Sequence, residues 1–97
     1  MTDQTSIHKE LALIVDDEPT NRLVLSALLT QMGFRVIEAN DGFDAINHFT
    51  VDKPDIVFMD IMMPGMDGYE ATSKIKEMCG DNFVPIIVLT AMSDEMR

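Results

Sequence analysis

The chain has 97 residues, enough for one domain, and its 46% hydrophobic and 25% charged residues are ordinary for a globular protein. Its 17 acidic and 7 basic residues give a formal net charge of −10, which repels phosphate backbones and argues against direct binding of nucleic acid. The single cysteine, Cys79, excludes an internal disulfide, and no apolar run approaches the length of a membrane span, so we expect a cytoplasmic protein without a membrane segment.

The first part of the chain predicts two strands around one helix, after a polar lead at residues 1–10. Leu11–Val15 is an apolar run that stops at acidic residues, which is typical of a strand buried in a parallel sheet. A helix is predicted over 20–32, because Pro19 precedes it and Gly33 follows it. A second strand is predicted over 34–39. Four apolar residues fall at helical spacing on one face of this helix: Leu25, Leu28, Leu29 and Met32.

The same alternation continues to the end of the chain. A short helix is predicted over 43–49, a strand over 55–59 that ends at Asp60, a helix over 69–78 with Asp67 as its cap, and a strand over Ile86–Leu89. Another helix is predicted to start near Ser93. Strands that alternate with amphipathic helices indicate an α/β fold, in which helices cover both faces of a doubly wound parallel sheet. We expect a single domain over 1–97.

Acidic side chains follow two of the predicted strands at the point where each strand ends. Asp16 and Asp17 follow the first strand, Asp60 follows the third, and Thr90 follows the fourth. Ligands of open parallel sheets bind beyond the carboxyl ends of the strands, so we expect these side chains to converge. The alternative for any one acid is structural, because acids often only cap turns or helices, and Asp17 stands just before a helix start.

The convergence of three carboxylates predicts a divalent cation. Clustered carboxylates repel one another, and a hard cation such as Mg²⁺, which prefers oxygen ligands, removes that repulsion. With Mg²⁺ present, Asp60 is a candidate nucleophile for a phosphoryl group, as carboxylates are in enzymes that form aspartyl phosphates. Thr90 is a candidate hydrogen-bond donor to that group. The sequence therefore predicts a phosphoacceptor site at this edge of the sheet.

Three segments resemble the receiver domain of response regulators, the phosphoacceptor half of two-component signalling. They are IVDDE at 14–18, MDIMMPGMDG at 59–68 and VLTA at 88–91, and the likeness extends over residues 11–97. The resemblance implies a flavodoxin-like, CheY-like (β-α)5 fold. It also implies that Asp60 is the phosphorylated residue. The implied donor is a phosphohistidine on a histidine kinase or a histidine phosphotransfer protein. The domain would then be a signalling switch and not an enzyme that turns over an external substrate. The implied metal ligands are Asp16, Asp17, Asp60 and the backbone carbonyl of Met62, and the implied switch residues are Thr90 and Ala91.

The sequence departs from the family pattern at its C-terminal end. The family continues through a fifth strand that begins with a catalytic lysine, and no lysine of this chain corresponds to it. We therefore expect a truncated receiver that lacks its last β-α unit. The fourth strand would then be an apolar edge, Ile86–Leu89, which is prone to self-association. The alternative function is a non-phosphorylatable interaction module that pairs or exchanges segments through this edge.

A phosphohydrolase with an aspartyl nucleophile is a further class of protein to weigh. Such enzymes typically carry a second acid two residues after the nucleophile. In this chain that position is Met62, which argues against the phosphohydrolase.

Overall fold

The computed structural model describes residues 9–61, 63 and 65–89 of the chain. Seven elements alternate along it: β1 (Leu11–Val15), α1 (Pro19–Gln31), β2 (Arg35–Ala39), α2 (Gly42–Asp52), β3 (Ile56–Asp60), α3 (Gly68–Cys79) and β4 (Ile86–Leu89). The first and fourth strands have the predicted bounds. The other elements lie where the sequence predicts them, with ends that differ by at most three residues.

The sheet is parallel, with strand order β2-β1-β3-β4. The predicted α/β doubly wound fold is thus confirmed for four strands and three helices, and the family's last β-α unit is not among the described elements. Because all strands run in one direction, their carboxyl ends meet at one edge of the sheet. In the register, Val15 of β1 lies opposite Met59 of β3, and Asp60 lies opposite Leu89 of β4.

Helices cover the two faces of the sheet unequally. Helices α2 and α3 pack on one face, where they bury Phe49 and Ile75 against the central strands β1 and β3. Helix α1 packs on the other face, where Leu29 meets Ala12 and Ile14 of β1. Strand β1 is buried along its whole length, as its continuous apolar run predicts.

The apolar face of α1 is only partly buried. Of the four residues predicted to share this face, Leu29 is buried and Leu25 is half-buried, but Leu28 is 52% exposed and Met32 is 71% exposed. The helix contacts β1 and β2 through part of its apolar stripe, and the other residues of the stripe remain in solvent.

Helix ends follow the local chemistry of the chain. Asp41 caps α2 by accepting a hydrogen bond from the backbone N–H of Asp44 at 2.8 Å, and Asp67 caps α3 in the same way from Glu70 at 2.9 Å. The predicted cap at Asp67 is confirmed. No helix in the described part of the chain combines the length and apolar character needed to cross a bilayer.

Candidate functional site

The three acids predicted to converge lie at the carboxyl edge of the two central strands. Asp60 is the last residue of β3, and Asp16 and Asp17 directly follow β1. Carboxylate oxygens of the three residues lie within 4.8 Å of one another. Asp16 and Asp60 are 7% and 8% exposed, whereas Asp17 is exposed. The structure therefore brings together a half-buried cluster of three acids, which we call the acidic triad.

The loop from β1 to α1 holds Asp16 in a defined orientation. Its backbone N–H donates to the carbonyl of Ala39 at 3.2 Å, which continues the β1–β2 pairing by one residue. One of its carboxylate oxygens, Oδ1, accepts a hydrogen bond from the N–H of Glu18 at 2.9 Å. Asp16 thus accepts a hydrogen bond in the turn before α1 and is also a member of the triad.

Arg22, in the first turn of α1, contacts this loop, and the sequence did not indicate that contact. Its Nη1 donates to the backbone carbonyl of Asp16 at 2.7 Å, and its Nε donates to Oε1 of Glu38 on β2 at 3.0 Å. The only signal in the sequence was a basic residue in the first turns of the helix after the acidic pair. Its partner Glu38 lies 16 residues further on, and only the folded chain brings the two together.

The backbone of Asp60 is packed closely by the start of α3. The N–H of Gly68 donates to the carbonyl of Ile61 at 3.3 Å. A methyl group added at Gly68 would overlap the backbone carbonyl of Asp60, and it would lie 2.5 Å from Cα of Ile61. Glycine at this position therefore lets α3 approach the strand that carries Asp60, a role the sequence reasoning did not assign to it.

Three of the predicted site residues lie outside the described part of the chain. These are Met62, predicted to offer its carbonyl to the metal, and Thr90 and Ala91, predicted to act in the switch. The assignments of these residues stay predictions. Leu89, the last residue of β4, pairs with Asp60 in the sheet register.

The donor set of the triad fits a hard divalent cation. All three side chains offer carboxylate oxygen, which Mg²⁺ and Ca²⁺ prefer, and none offers the nitrogen or sulfur that zinc and copper favour. Mg²⁺ usually takes one or two carboxylates and keeps several waters, and the exposed position of Asp17 leaves the cluster open to solvent on one side. The residues present therefore suit Mg²⁺.

Comparison with known proteins finds a matching family model and several relatives. The family model described as "Response regulator receiver domain" matches residues 12–97. A probable transcriptional regulator of Guillardia theta is 46% identical over 86 residues, which are 89% of this chain and 33% of that protein. Protein PilH of Pseudomonas aeruginosa is 39% identical, over 86% of this chain and 69% of PilH. The sensor histidine kinase GacS of Pseudomonas protegens is 39% identical, over 88% of this chain and 10% of the kinase.

A solved structure agrees with these relatives. The response regulator TrrA of Thermotoga maritima, crystallised in complex with Mg²⁺-BeF, aligns with a TM-score of 0.78 at 36% identity, over 84% of this chain and 70% of that chain. The chain spans about a third of the length of the Guillardia theta regulator and a tenth of the length of GacS. It therefore corresponds to one module of those larger proteins. Together with the parallel sheet and the acidic triad, the match over 12–97 shows that this chain belongs to the response regulator receiver domains, the phosphoacceptor modules of two-component signalling.

Proposed function

We propose that Asp60 is the residue of this receiver domain that accepts the phosphoryl group. The supporting observation is the position of its carboxylate at the carboxyl end of β3, 8% exposed and within 4.8 Å of the carboxylates of Asp16 and Asp17. A carboxylate oxygen of Asp60 attacks phosphorus, the bond from phosphorus to the donor's imidazole nitrogen breaks, and that nitrogen keeps the electron pair. The departing imidazole takes up one proton from solvent, so the products are an aspartyl phosphate and a neutral histidine.

The ligands that we propose for Mg²⁺ are Asp16, Asp17, Asp60 and the backbone carbonyl of Met62. The all-oxygen donor set of the triad supports this proposal, as does the Mg²⁺-BeF complex formed by TrrA. Bound there, Mg²⁺ supplies positive charge that offsets the repulsion between the carboxylates and the incoming phosphoryl oxygens. Asp16 and Asp17 contribute by holding their oxygens beside Asp60, so the cost of gathering the charges is met during folding.

The remaining parts of the proposal follow from the family. The donor is a phosphohistidine on a histidine kinase or a histidine phosphotransfer protein, and GacS is an example of a kinase that contains a matching segment. Thr90 follows the phosphoryl group and Ala91 leaves room for it, so that phosphorylation changes the conformation. The domain, residues 1–97 with a polar lead at 1–10, acts in the cytoplasm as a switch without turnover of an external substrate.

Phosphorylation from a small donor tests the assignment of Asp60. The chain extended by the family's last β-α unit is incubated with acetyl phosphate and Mg²⁺, and intact-mass spectrometry follows the product. We expect one phosphoryl group that is lost in base, and no such group on Asp60→Asn. The 97 residues alone, in which no lysine corresponds to the family's catalytic lysine, should gain little or no stable phosphoryl group.

A matched control separates the site from a general effect of charge. Asp81→Asn removes the same charge from an exposed turn beyond α3, at the other end of the sheet, and should be labelled like the wild type. Equal labelling of Asp60→Asn and wild type would show that another residue is the acceptor.

The edge of β4 supports a second candidate function, an interaction module that pairs with a second copy. In the described residues β4 pairs with β3 alone, and Ile87 and Val88 are 43% and 42% exposed. An apolar edge strand with open hydrogen-bonding groups is a template for another chain. Light scattering coupled to size exclusion should show dimers or larger species that Val88→Lys reduces. A well-dispersed monomer at high concentration would rule out this candidate.

A further inference from the structure

We infer that Arg22 is a positioning residue of the metal site, which acts by fixing the loop that carries Asp16 and Asp17. The inference rests on the proposed role of the acidic triad in holding Mg²⁺. It concerns a basic residue that contributes no ligand and whose charge is opposed to cation binding.

The side chain of Arg22, from α1, links the end of β1 to β2. Its Nη1 donates to the carbonyl oxygen of Asp16 at 2.7 Å, and its Nε donates to Glu38 at 3.0 Å. The guanidinium group is planar and presents its donors in a fixed fork, so contact at both points fixes the position of the Asp16 carbonyl relative to β2. A lysine ammonium lacks that fork and is a point charge on a flexible stem.

The peptide groups of Asp16 are therefore held on both sides. On the N-terminal side its N–H donates to Ala39 of β2, and on the C-terminal side its carbonyl accepts from Arg22. Oδ1 of Asp16 is occupied by the N–H of Glu18. These contacts orient the Asp16 carboxylate within the triad and fix the start of the next residue, Asp17.

The burial of Arg22 makes this linkage stronger than an ordinary surface ion pair. Its side chain is 18% exposed and that of Glu38 is 41% exposed, so solvent screens the pair only in part. A charged donor to a backbone carbonyl at 2.7 Å is a short, charge-assisted hydrogen bond. Partners that orient metal ligands from outside the coordination shell typically contribute about 10- to 100-fold to metal affinity.

Charge and positioning predict opposite signs for removal of Arg22. If only net charge mattered, loss of a positive charge near the triad would strengthen Mg²⁺ binding, because like charges repel. If Arg22 positions the ligands, its loss weakens Mg²⁺ binding in spite of that electrostatic gain. The sign of the change in affinity therefore distinguishes the two roles.

The test is the Mg²⁺ affinity of the full chain, measured by isothermal titration calorimetry at about 0.15 M salt, where long-range charge effects are screened. Arg22→Met is compared with the control Arg35→Met, which removes the same charge from the first residue of β2. Arg35 is exposed. Among the described side-chain hydrogen bonds, it makes one, from its Nε to the carbonyl of Lys9 at 3.4 Å. We expect about 10-fold weaker binding for Arg22→Met and unchanged or slightly tighter binding for Arg35→Met.

Arg22→Lys keeps the charge and tests the fork geometry. We expect this variant to bind Mg²⁺ more weakly than the wild type. Wild-type affinity in Arg22→Lys would overturn the inference, and this test remains available if Arg22→Met does not fold. Circular dichroism recorded below the melting transition verifies that each titrated variant is folded. A purely structural role of Arg22 would lower the melting temperature of the variants and leave the Mg²⁺ affinity of the folded protein unchanged.

Two failures can be told apart. Equal affinities for Arg22→Met and Arg35→Met, with Mg²⁺ bound by the wild type, would overturn the positioning role alone. No Mg²⁺ binding by the wild type would overturn both this inference and the proposed metal site.

Discussion

At the scale of single residues, the surroundings of Asp60 explain why the site needs more than acids. Its carboxylate lies beside two others, and its backbone carbonyl lies against Gly68 at the start of α3. A side chain at Gly68 would have to displace the strand end or the helix. The geometry of Asp60, the proposed phosphoacceptor, is therefore set in part by a residue that has no side chain.

Gly68→Ala should weaken both the fold and the site. The added methyl group overlaps the Asp60 carbonyl, and overpacking of this kind typically costs about 1–3 kcal/mol in the free energy of unfolding. Because the strain falls on Asp60, Mg²⁺ affinity should fall as well. Urea denaturation and calorimetric titration measure the two effects.

Gly80→Ala is the control for that substitution. Gly80 has a φ of 59°, and a methyl group added there would have no atom within 4 Å, so alanine at this position is strained only by its own backbone. It should lower stability and leave Mg²⁺ affinity unchanged. Equal affinities of the two variants would contradict the role assigned to Gly68.

At the scale of elements, the starts of α2 and α3 are placed by side-chain caps, and both helices follow strands at the edge of the sheet that carries the site. Asp41 and Asp67 accept hydrogen bonds from backbone N–H groups that would otherwise lack a partner within the helix. The cap at Asp67 directly precedes Gly68, so the position of α3 and the close approach to Asp60 depend on each other.

Asp67→Ala should destabilise the domain by about 1 kcal/mol, the usual cost of losing an N-cap acceptor. Asp67→Asn keeps an oxygen acceptor of the same reach and should lose little. Urea unfolding of the two variants measures the difference. A loss as large for asparagine as for alanine would mean that the negative charge, and not the hydrogen bond from Glu70, is what stabilises the helix start.

At the scale of the whole molecule, the acidic triad gathers three of the 17 acidic residues of a chain whose net charge is −10. Self-repulsion opposes the compact state of such a chain. A cation that binds the folded chain and not the unfolded one stabilises it by mass action. The stability of this protein should therefore depend strongly on divalent cations.

Asp17→Asn should reduce that dependence. Asp17 is the exposed member of the triad, so its substitution disturbs packing least. Without Mg²⁺ the variant should be more stable than the wild type, because one repulsive charge is gone. With Mg²⁺ at about 100 times its dissociation constant, the wild type should gain about 2.7 kcal/mol and the variant much less.

Thermal unfolding in EDTA and in Mg²⁺, at ionic strength matched with NaCl, measures both changes. Asp81→Asn, which removes an equal charge from an exposed turn, should keep the full response to Mg²⁺. An equal response of Asp17→Asn and wild type would exclude Asp17 from the metal site.

The sequence by itself determined the order of the elements and which acids would meet. Apolar runs such as Leu11–Val15 and Ile86–Leu89 are typical of strands in a parallel sheet, and that arrangement places every strand's last residue at the same edge. Asp16, Asp17 and Asp60 were predictable for that reason, because the property that identifies each of them is its position at the end of a local pattern.

Only the tertiary structure decided what lies beside those residues. The exposure of Leu28 depends on which line of α1 touches the sheet, and helical periodicity alone does not fix that line. The contact of Arg22 with Glu38 and that of Gly68 with Asp60 join residues from different elements. Such contacts depend on how the helices settle on the sheet, and that is decided by the packing of the whole core.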